Sequence, residues 1–219
     1  REFKYFREIK NIRSWEGVEP LQVNAFYQPA YNQFTMLQGV LQYPFYDQEN
    51  SLIENLAGVG MVVGHELGHG IDDQGSKYDA DGKLKSWMKP KDLAKFKDLT
   101  KSLVDQYTKA GMNGVLTLGE NIGDFVGLTA AYDAAFVNSK LSSEDLKKEQ
   151  KKFFLSYARS WCEVQLPGVR ELRLKTDPHS LGVARVNELV KHFDGFQNAF
   201  ECKASDPMVL PADKKVHIW

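Results

Sequence analysis

Residues 51–71 place a helical apolar pattern (Leu52, Asn55, Val59, Val62 and Val63) on a segment that also carries Gly58, Gly60, Gly64 and Gly68. Each glycine costs a helix interior roughly 1 kcal/mol relative to alanine. A helix here therefore needs compensation, from close backbone packing or from a bound ligand. The same segment contains His65-Glu66-Leu67-Gly68-His69. Histidines at i and i+4 share one helix face with Cβ atoms about 6 Å apart, so both imidazoles reach one cation. Neutral imidazole binds zinc at roughly 2.0–2.1 Å, and a catalytic zinc site keeps one position open for water. Glu66, beside the first ligand, is placed to take a proton from that water as general base. For a chain with 5 histidines, roughly 0.007 chance matches to this spacing are expected.

A histidine pair needs a third protein ligand, and Gly119-Glu120-Asn121-Ile122-Gly123-Asp124 supplies one on a later helical segment. Glu120 and Asp124 are again i, i+4 and share a face. Glu120 would complete a His₂Glu set with His65 and His69, while Asp124 would accept the outer N–H of a ligand imidazole and fix its tautomer. A competing reading makes Thr117 and Glu120 a capping box. A carboxylate on the metal is poorly placed to cap, and the upstream histidines favour the ligand. Asp72 and Asp73 stand at i+3 and i+4 from His69, with Asp72 favoured as its hydrogen-bond partner. The run Asp79-Ala80-Asp81-Gly82 is no calcium loop, because Lys77 and Met88 occupy positions that should be acidic; it reads as a turn. The chain has no GxSxG, no Walker loop and no GxGxxG after a strand, and Cys162 lacks a nucleophile motif. Metal-assisted hydrolysis is the chemistry that remains.

Around this site the pattern predicts a clean amphipathic helix over 90–110, with Pro90 in its first turn, a stripe of Leu93, Phe96, Leu99, Leu103, Val104 and Tyr107, and Gly111 as stop. Helices are also expected over 117–137, over 143–164 (Leu146, Phe153, Phe154, Tyr157, Trp161) and, briefly, over 194–200. Runs 23–27 and 33–37, bracketing Gln28-Pro29-Ala30, read as paired strands on an edge. The expected class is α+β, predominantly helical, with a small sheet near the N-terminus. Without repeats or linkers, residues 1–219 read as a single domain. Lys+Arg 28 against Asp+Glu 29 leaves a net charge of -1, which argues against nucleic acid as a partner. The longest apolar stretch, 56–64, falls well short of the about 20 residues a membrane helix needs. The opening Arg1-Glu2-Phe3-Lys4-Tyr5 carries no initiator Met and no leader pattern, so the chain reads as part of something longer. Cys162 and Cys202 are too few for a disulfide scaffold, and their pairing and the redox compartment stay open.

These residues resemble the neprilysin and endothelin-converting-enzyme family of zinc metallopeptidases over most of the chain. Val23-Asn24-Ala25-Phe26-Tyr27 looks like the family's substrate-aligning strand, and residues 58–66, continuing into His69-Gly70-Ile71-Asp72-Asp73, resemble its zinc helix. Gly119-Glu120-Asn121-Ile122 with Asp124 is similar to its third-ligand motif, and His179-Ser180-x-Gly182-x-x-Arg185 with Trp219 matches its last segment. The resemblance implies a thermolysin-like zinc peptidase core holding one zinc ion per chain on His65, His69 and Glu120. Glu66, His179 and Asp124 would form the catalytic machinery, with Asp124 and Asp72 behind the metal ligands. Asn24 and the Ala25 backbone would bind an oligopeptide as an added strand, His179 would donate to the oxyanion, and Arg185 would grip the substrate backbone. Val40, Phe45, Met61, Val62 and Trp161 would line an apolar pocket, implying cleavage on the amino side of bulky hydrophobic residues. Taken from the residues alone, His179 is a surface histidine beside Pro178 and Arg185 an ordinary charge.

Departures from the family matter as well. The chain ends Val216-His217-Ile218-Trp219 where many relatives have Cys-Arg-Val-Trp, and Ser102 stands where the animal enzymes place that cysteine's partner, which fits a bacterial member. Cys162 and Cys202 match cysteines that pair, in animal members, with residues outside this chain. The family's large N-terminal helical portion is absent, so that portion or another chain is the expected cover for the core face. The resemblance also favours an extracytoplasmic location. The rival expectation is a zinc- or peptide-binding module that lacks turnover without the missing portion. A structural zinc site is disfavoured, since three protein ligands are in view and closed sites have four.

Overall fold

The computed structural model describes residues 19–218; the expectations for residues 1–5 and for Trp219 fall outside the described residues. Near the front, β1 (Ala25–Gln28) pairs antiparallel with β2 (Gln33–Met36), in register from Ala25 opposite Met36 to Gln28 opposite Gln33. The strands begin and end close to the expected runs, but β1 starts two residues late. Asn24 is used locally instead: its Oδ1 accepts the Ala25 N–H at 3.0 Å, and its carbonyl accepts the Leu37 N–H at 3.1 Å. The reversal is a 3-10 turn, Pro29–Tyr31, closed by Asn32 at φ 46, a left-handed conformation that asparagine tolerates well.

The glycine-rich segment is not one continuous α-helix. A short α1 (Leu52–Asn55), opened by a Ser51–Glu54 capping box, passes through a π turn (Leu56–Gly60) into α2 (Met61–Gly68). Gly58 explains the break. A Cβ there would sit 2.1 Å from the Phe45 carbonyl oxygen, and that oxygen accepts the neighbouring Val59 N–H at 2.7 Å. The π turn thus redirects one backbone N–H out of the helix and ties the loop carrying Phe45 to it. Beyond α2 the expected helix to residue 71 gives way to a turn, which Asp72 stabilises by accepting the Gln74 and Gly75 N–H groups on Oδ1, both at 2.7 Å.

Four helices follow the expected amphipathic patterns. They are α3 (Pro90–Lys109), closed by Gly111 at φ 85; α4 (Leu118–Phe136); α5 (Ser143–Ser160); and, after two helices that periodicity did not announce, the short α8 (Asp194–Ala199). The unannounced pair are α6 (Pro167–Thr176) and α7 (Gly182–Val190). Helix α5 stops four residues before the expected end, and Pro167 then opens α6 at its first turn. The core is built where α2, α3, α4, α5 and α7 meet, around the fully buried Met61, Leu103, Tyr107, Ile122, Leu128, Phe153, Tyr157, Leu189 and Val190.

The compensation demanded by the glycines lies between α2 and α4. Gly64 faces Gly127, where a Cβ would come 2.8 Å from the opposing Cα, and Gly68 faces Gly123 at 3.2 Å. Glycine stripes at i, i+4 on both helices let the two backbones touch, as side chains elsewhere could not. Among the described residues no helix is long and apolar enough to cross a membrane.

Candidate metal centre

Backbone contact between α2 and α4 brings the two chemical motifs face to face. The His65 ring on α2 lies against Gly123 of α4, whose added Cβ would meet the imidazole at 3.0 Å. Its Nδ1 lies 2.8 Å from Oδ1 of Asp124, which is wholly buried. His69, at the C-terminal end of α2, has Nδ1 2.8 Å from Asp72 Oδ2. An ionised carboxylate only accepts, so both Nδ1 atoms carry the hydrogen, and each Nε2 presents its lone pair when the imidazole is neutral. Those two Nε2 atoms lie 3.1 Å apart.

Glu120 Oε2 points at the same spot, 3.1 Å from His65 Nε2 and 3.6 Å from His69 Nε2, and is buried without a hydrogen bond. The Thr117 side chain makes no cap with this helix; its hydroxyl donates to the Asn113 carbonyl, so the capping-box reading of Glu120 is not realised. Three lone-pair donors this close repel one another unless protons or a cation lie between them. Ligands on a tetrahedral ion with bonds of roughly 2.0–2.1 Å are separated by about 3.3 Å. The observed spacings bracket that edge, and two imidazoles plus one carboxylate are donors zinc accepts, so the residues fit zinc.

The electrostatics follow from the same contacts. Burial alone would lower the His69 pKa, but the adjacent carboxylates of Asp72 and Glu120 outweigh it and raise it to about 10. His65 is likewise raised, against burial, by Asp124 and Glu120. Burial pushes Glu120 upward, but the adjacent imidazoles of His179, His65 and His69 prevail and hold it ionised. Glu66 is nearly inaccessible, with a buried Oε2 that has no hydrogen-bond partner. Burial raises its pKa, with His65 and His69 acting in opposition. That is the direction wanted in a proton acceptor working near neutrality.

His179, on the loop between α6 and α7, is brought to the centre: its Nε2 lies 3.2 Å from Glu120 Oε2, and its Nδ1 lies 2.9 Å from Asp177 Oδ1. Arg185 is not an ordinary surface charge. Only 6% exposed, it donates Nε–H to Asp124 Oδ2 at 2.7 Å and Nη2–H to Asp124 Oδ1, with its guanidinium 3.6 Å over the Trp161 ring. Phe45 meets Trp161 edge-on at 5.6 Å. Phe45 and Trp161 are half-buried, whereas Val40, Met61 and Val62 are buried; Met61 has no accessible surface and belongs to the core. Asn24 is exposed and Ala25 half-buried at the start of β1. Among the described residues the sheet has two strands, so β1 keeps one unpaired edge. Tyr27 of β1 reaches the end of the segment carrying His65 and His69, its hydroxyl 3.0 Å from where a Gly70 Cβ would stand. Sequence reading passed over Asp177, although an Asp two residues before a candidate catalytic His was the available signal. It also passed over Arg173, which donates to Asp177, and Glu163, which accepts from Arg173; neither carries a motif.

Comparison with known proteins agrees with this architecture. The model of Peptidase family M13 matches residues 24–216. Human endothelin-converting enzyme 1 is 38% identical over 97% of this chain and 29% of its own length, and neprilysin-1 of Caenorhabditis elegans is 35% identical over 99% and 31%. Of solved structures, PepO from Lactobacillus rhamnosis superimposes with TM-score 0.84 at 32% identity, covering 93% of this chain and 32% of that one. The zinc metalloprotease Zmp1 of Mycobacterium tuberculosis, in complex with inhibitor, gives 0.86 at 33% identity, covering 95% and 34%. The chain thus spans about three-tenths of the length of the curated relatives it matches. The predominantly helical, thermolysin-like zinc peptidase core with a small sheet, expected from the resemblance, is borne out. On the family match and these relatives, the chain belongs to peptidase family M13.

Proposed function

We propose that this chain is the catalytic part of a zinc-dependent endopeptidase that hydrolyses oligopeptides, with one zinc ion held by His65, His69 and Glu120. The observation that carries the reading is the convergence of His65 Nε2, His69 Nε2 and Glu120 Oε2, all within 4.8 Å of one another, on imidazoles whose outer nitrogens are already committed to Asp124 and Asp72. Bound there, zinc supplies Lewis-acid polarisation of a peptide carbonyl and brings the pKa of water to about 7.

The chain's own groups do the rest. Glu66 accepts the proton of the attacking water on its carboxylate and delivers it to the departing amine. His179 donates from Nε2 to the developing oxyanion, with its far side held by Asp177. Asp124 keeps the His65 lone pair on Nε2, and Arg185 keeps Asp124 ionised and in place while reaching the substrate backbone. The peptide adds as a strand along β1, at Asn24 and the Ala25 carbonyl. Phe45 and Trp161, with Val40, Met61 and Val62, receive a bulky apolar side chain after the scissile bond. Family membership alone favours an extracytoplasmic site of action.

Glu66→Gln tests this assignment: zinc content is retained and hydrolysis of a quenched peptide falls by several orders of magnitude. Near-wild-type turnover in that variant refutes it, and a peptide-library cleavage pattern indifferent to apolar residues removes the pocket assignment. The limited span of the chain against its relatives favours a second reading, in which these residues bind zinc and peptide but turn over only with further polypeptide. Hydrolysis by this chain alone excludes it.

A further inference from the structure

A run of charged groups, of which the proposed mechanism uses Asp177 alone, connects the end of α5 to the loop carrying His179. Glu163 accepts the Gly182 N–H, at the start of α7, on Oε1 at 2.7 Å, and the Arg173 Nη1–H on Oε2 at 2.7 Å. Arg173, on α6, also donates Nε–H to Asp177 Oδ2 at 2.7 Å. Asp177 Oδ1 accepts both the backbone N–H and the Nδ1–H of His179, each at 2.9 Å. His179 then presents Nε2 to Glu120 at 3.2 Å.

Packing does not explain how α6 is located. None of its residues is buried, and Leu174 is its half-buried contribution to the core. The polar links therefore carry the register of α6, and with it the position of the loop that follows. Arginine suits the task, because its rigid planar fork serves two carboxylates at once, whereas lysine offers one flexible point charge. Arg173, Glu163 and Asp177 keep between 23% and 34% of their side-chain surface accessible, so the links are partly shielded from solvent.

We propose that Arg173, clasped by Glu163, is a positioning residue for His179: it fixes Asp177, which in turn fixes the direction in which the imidazole presents Nε2. The inference rests on the proposed hydrolytic role of His179, so its test includes a readout independent of turnover. In the zinc-loaded chain, Arg173→Met lowers kcat about 10-fold with KM changed less than about twofold, and Arg173→Lys restores part of the loss. In a His179→Ala background Arg173→Met has no further effect on kcat. Imidazole NMR of the wild-type chain shows the Nδ1 proton of His179 held against Asp177 and exchanging slowly with water, and Arg173→Met speeds that exchange. Equal losses of kcat in both backgrounds, or an unchanged exchange rate of the His179 Nδ1 proton in Arg173→Met, overturn the inference. A zinc-bound wild type without turnover overturns the proposed function instead, and the exchange measurement still decides the positioning role.

Discussion

Replacing Gly127 by alanine separates the two halves of the proposed metal centre without touching a proposed ligand. The new Cβ would lie 2.5 Å from the Met61 carbonyl oxygen, 2.7 Å from the His65 nitrogen and 3.1 Å from the His65 Cα. All three are backbone atoms, so no side chain can swing away. Ordinary carbon contacts begin near 3.5 Å, so α2 and α4 must move apart by about 1 Å. That shift carries Glu120 on α4 away from His65 and His69 on α2, where the donor spacings are now 3.1 and 3.6 Å. Zinc sites tolerate distance errors of about 0.2 Å, so affinity falls by at least about 10-fold. Stability responds less. Overpacking costs about 1–3 kcal/mol, the alanine returns roughly 1 kcal/mol of helix propensity, and Tm drops by about 2–4 °C per kcal/mol remaining. Zinc affinity is read by competition against a chromophoric chelator, and Tm by calorimetry on the chelated protein. Gly127→Ala with wild-type zinc affinity would show that glycine contact does not set the site.

Three further outcomes follow from named contacts. Asp124→Asn leaves the Arg185 guanidinium buried without its counter-charge and frees the His65 tautomer. It costs about 3–5 kcal/mol in denaturant unfolding and about 10–100-fold in zinc affinity; a variant of wild-type stability contradicts this. Asp72→Asn, whose partner His69 is less deeply buried, weakens zinc about 10–100-fold in the same chelator competition while leaving Arg185 paired. His192 gives a pH signature remote from the metal. Burial, then repulsion from His217, Lys215 and Lys191, lowers its pKa to about 4, and its ring accepts the Val216 N–H on Nδ1 and reaches Gln106 from Nε2. The folded value lies below the unfolded one of about 6.5. Its contribution is therefore full above pH 6.5 and lost as pH falls towards 4, up to about 3 kcal/mol. Calorimetry of His192→Gln beside wild type isolates this slope, and parallel pH profiles for the two would refute it.

What could be read ahead of the coordinates divides along physical lines. His65, His69, Glu120 and Asp124 were legible because helical spacing of i, i+4 fixes side-chain neighbourhood locally, and each motif sits within one turn of one helix. The glycine cost at Gly64 and Gly68 was legible too, but not its partner, because Gly123 and Gly127 lie on a helix distant in sequence and no local rule pairs them. Helix α6 escaped because it buries no residue, so there is no apolar period to find. Helix α7 also went unannounced, and Arg185 near its start looks like surface until Asp124 and Trp161 are seen around it. The π turn at Leu56–Gly60 depends on the Phe45 carbonyl, a tertiary contact that no helix propensity encodes.

Anomalous diffraction at the zinc edge, from crystals of the chain grown with one equivalent of zinc, tests the metal centre most directly. A single peak within bonding distance of His65 Nε2, His69 Nε2 and Glu120 Oε2, about 2.0–2.2 Å from each, is the expected result. A peak that leaves Glu120 uncoordinated, or one on other residues, would contradict the account.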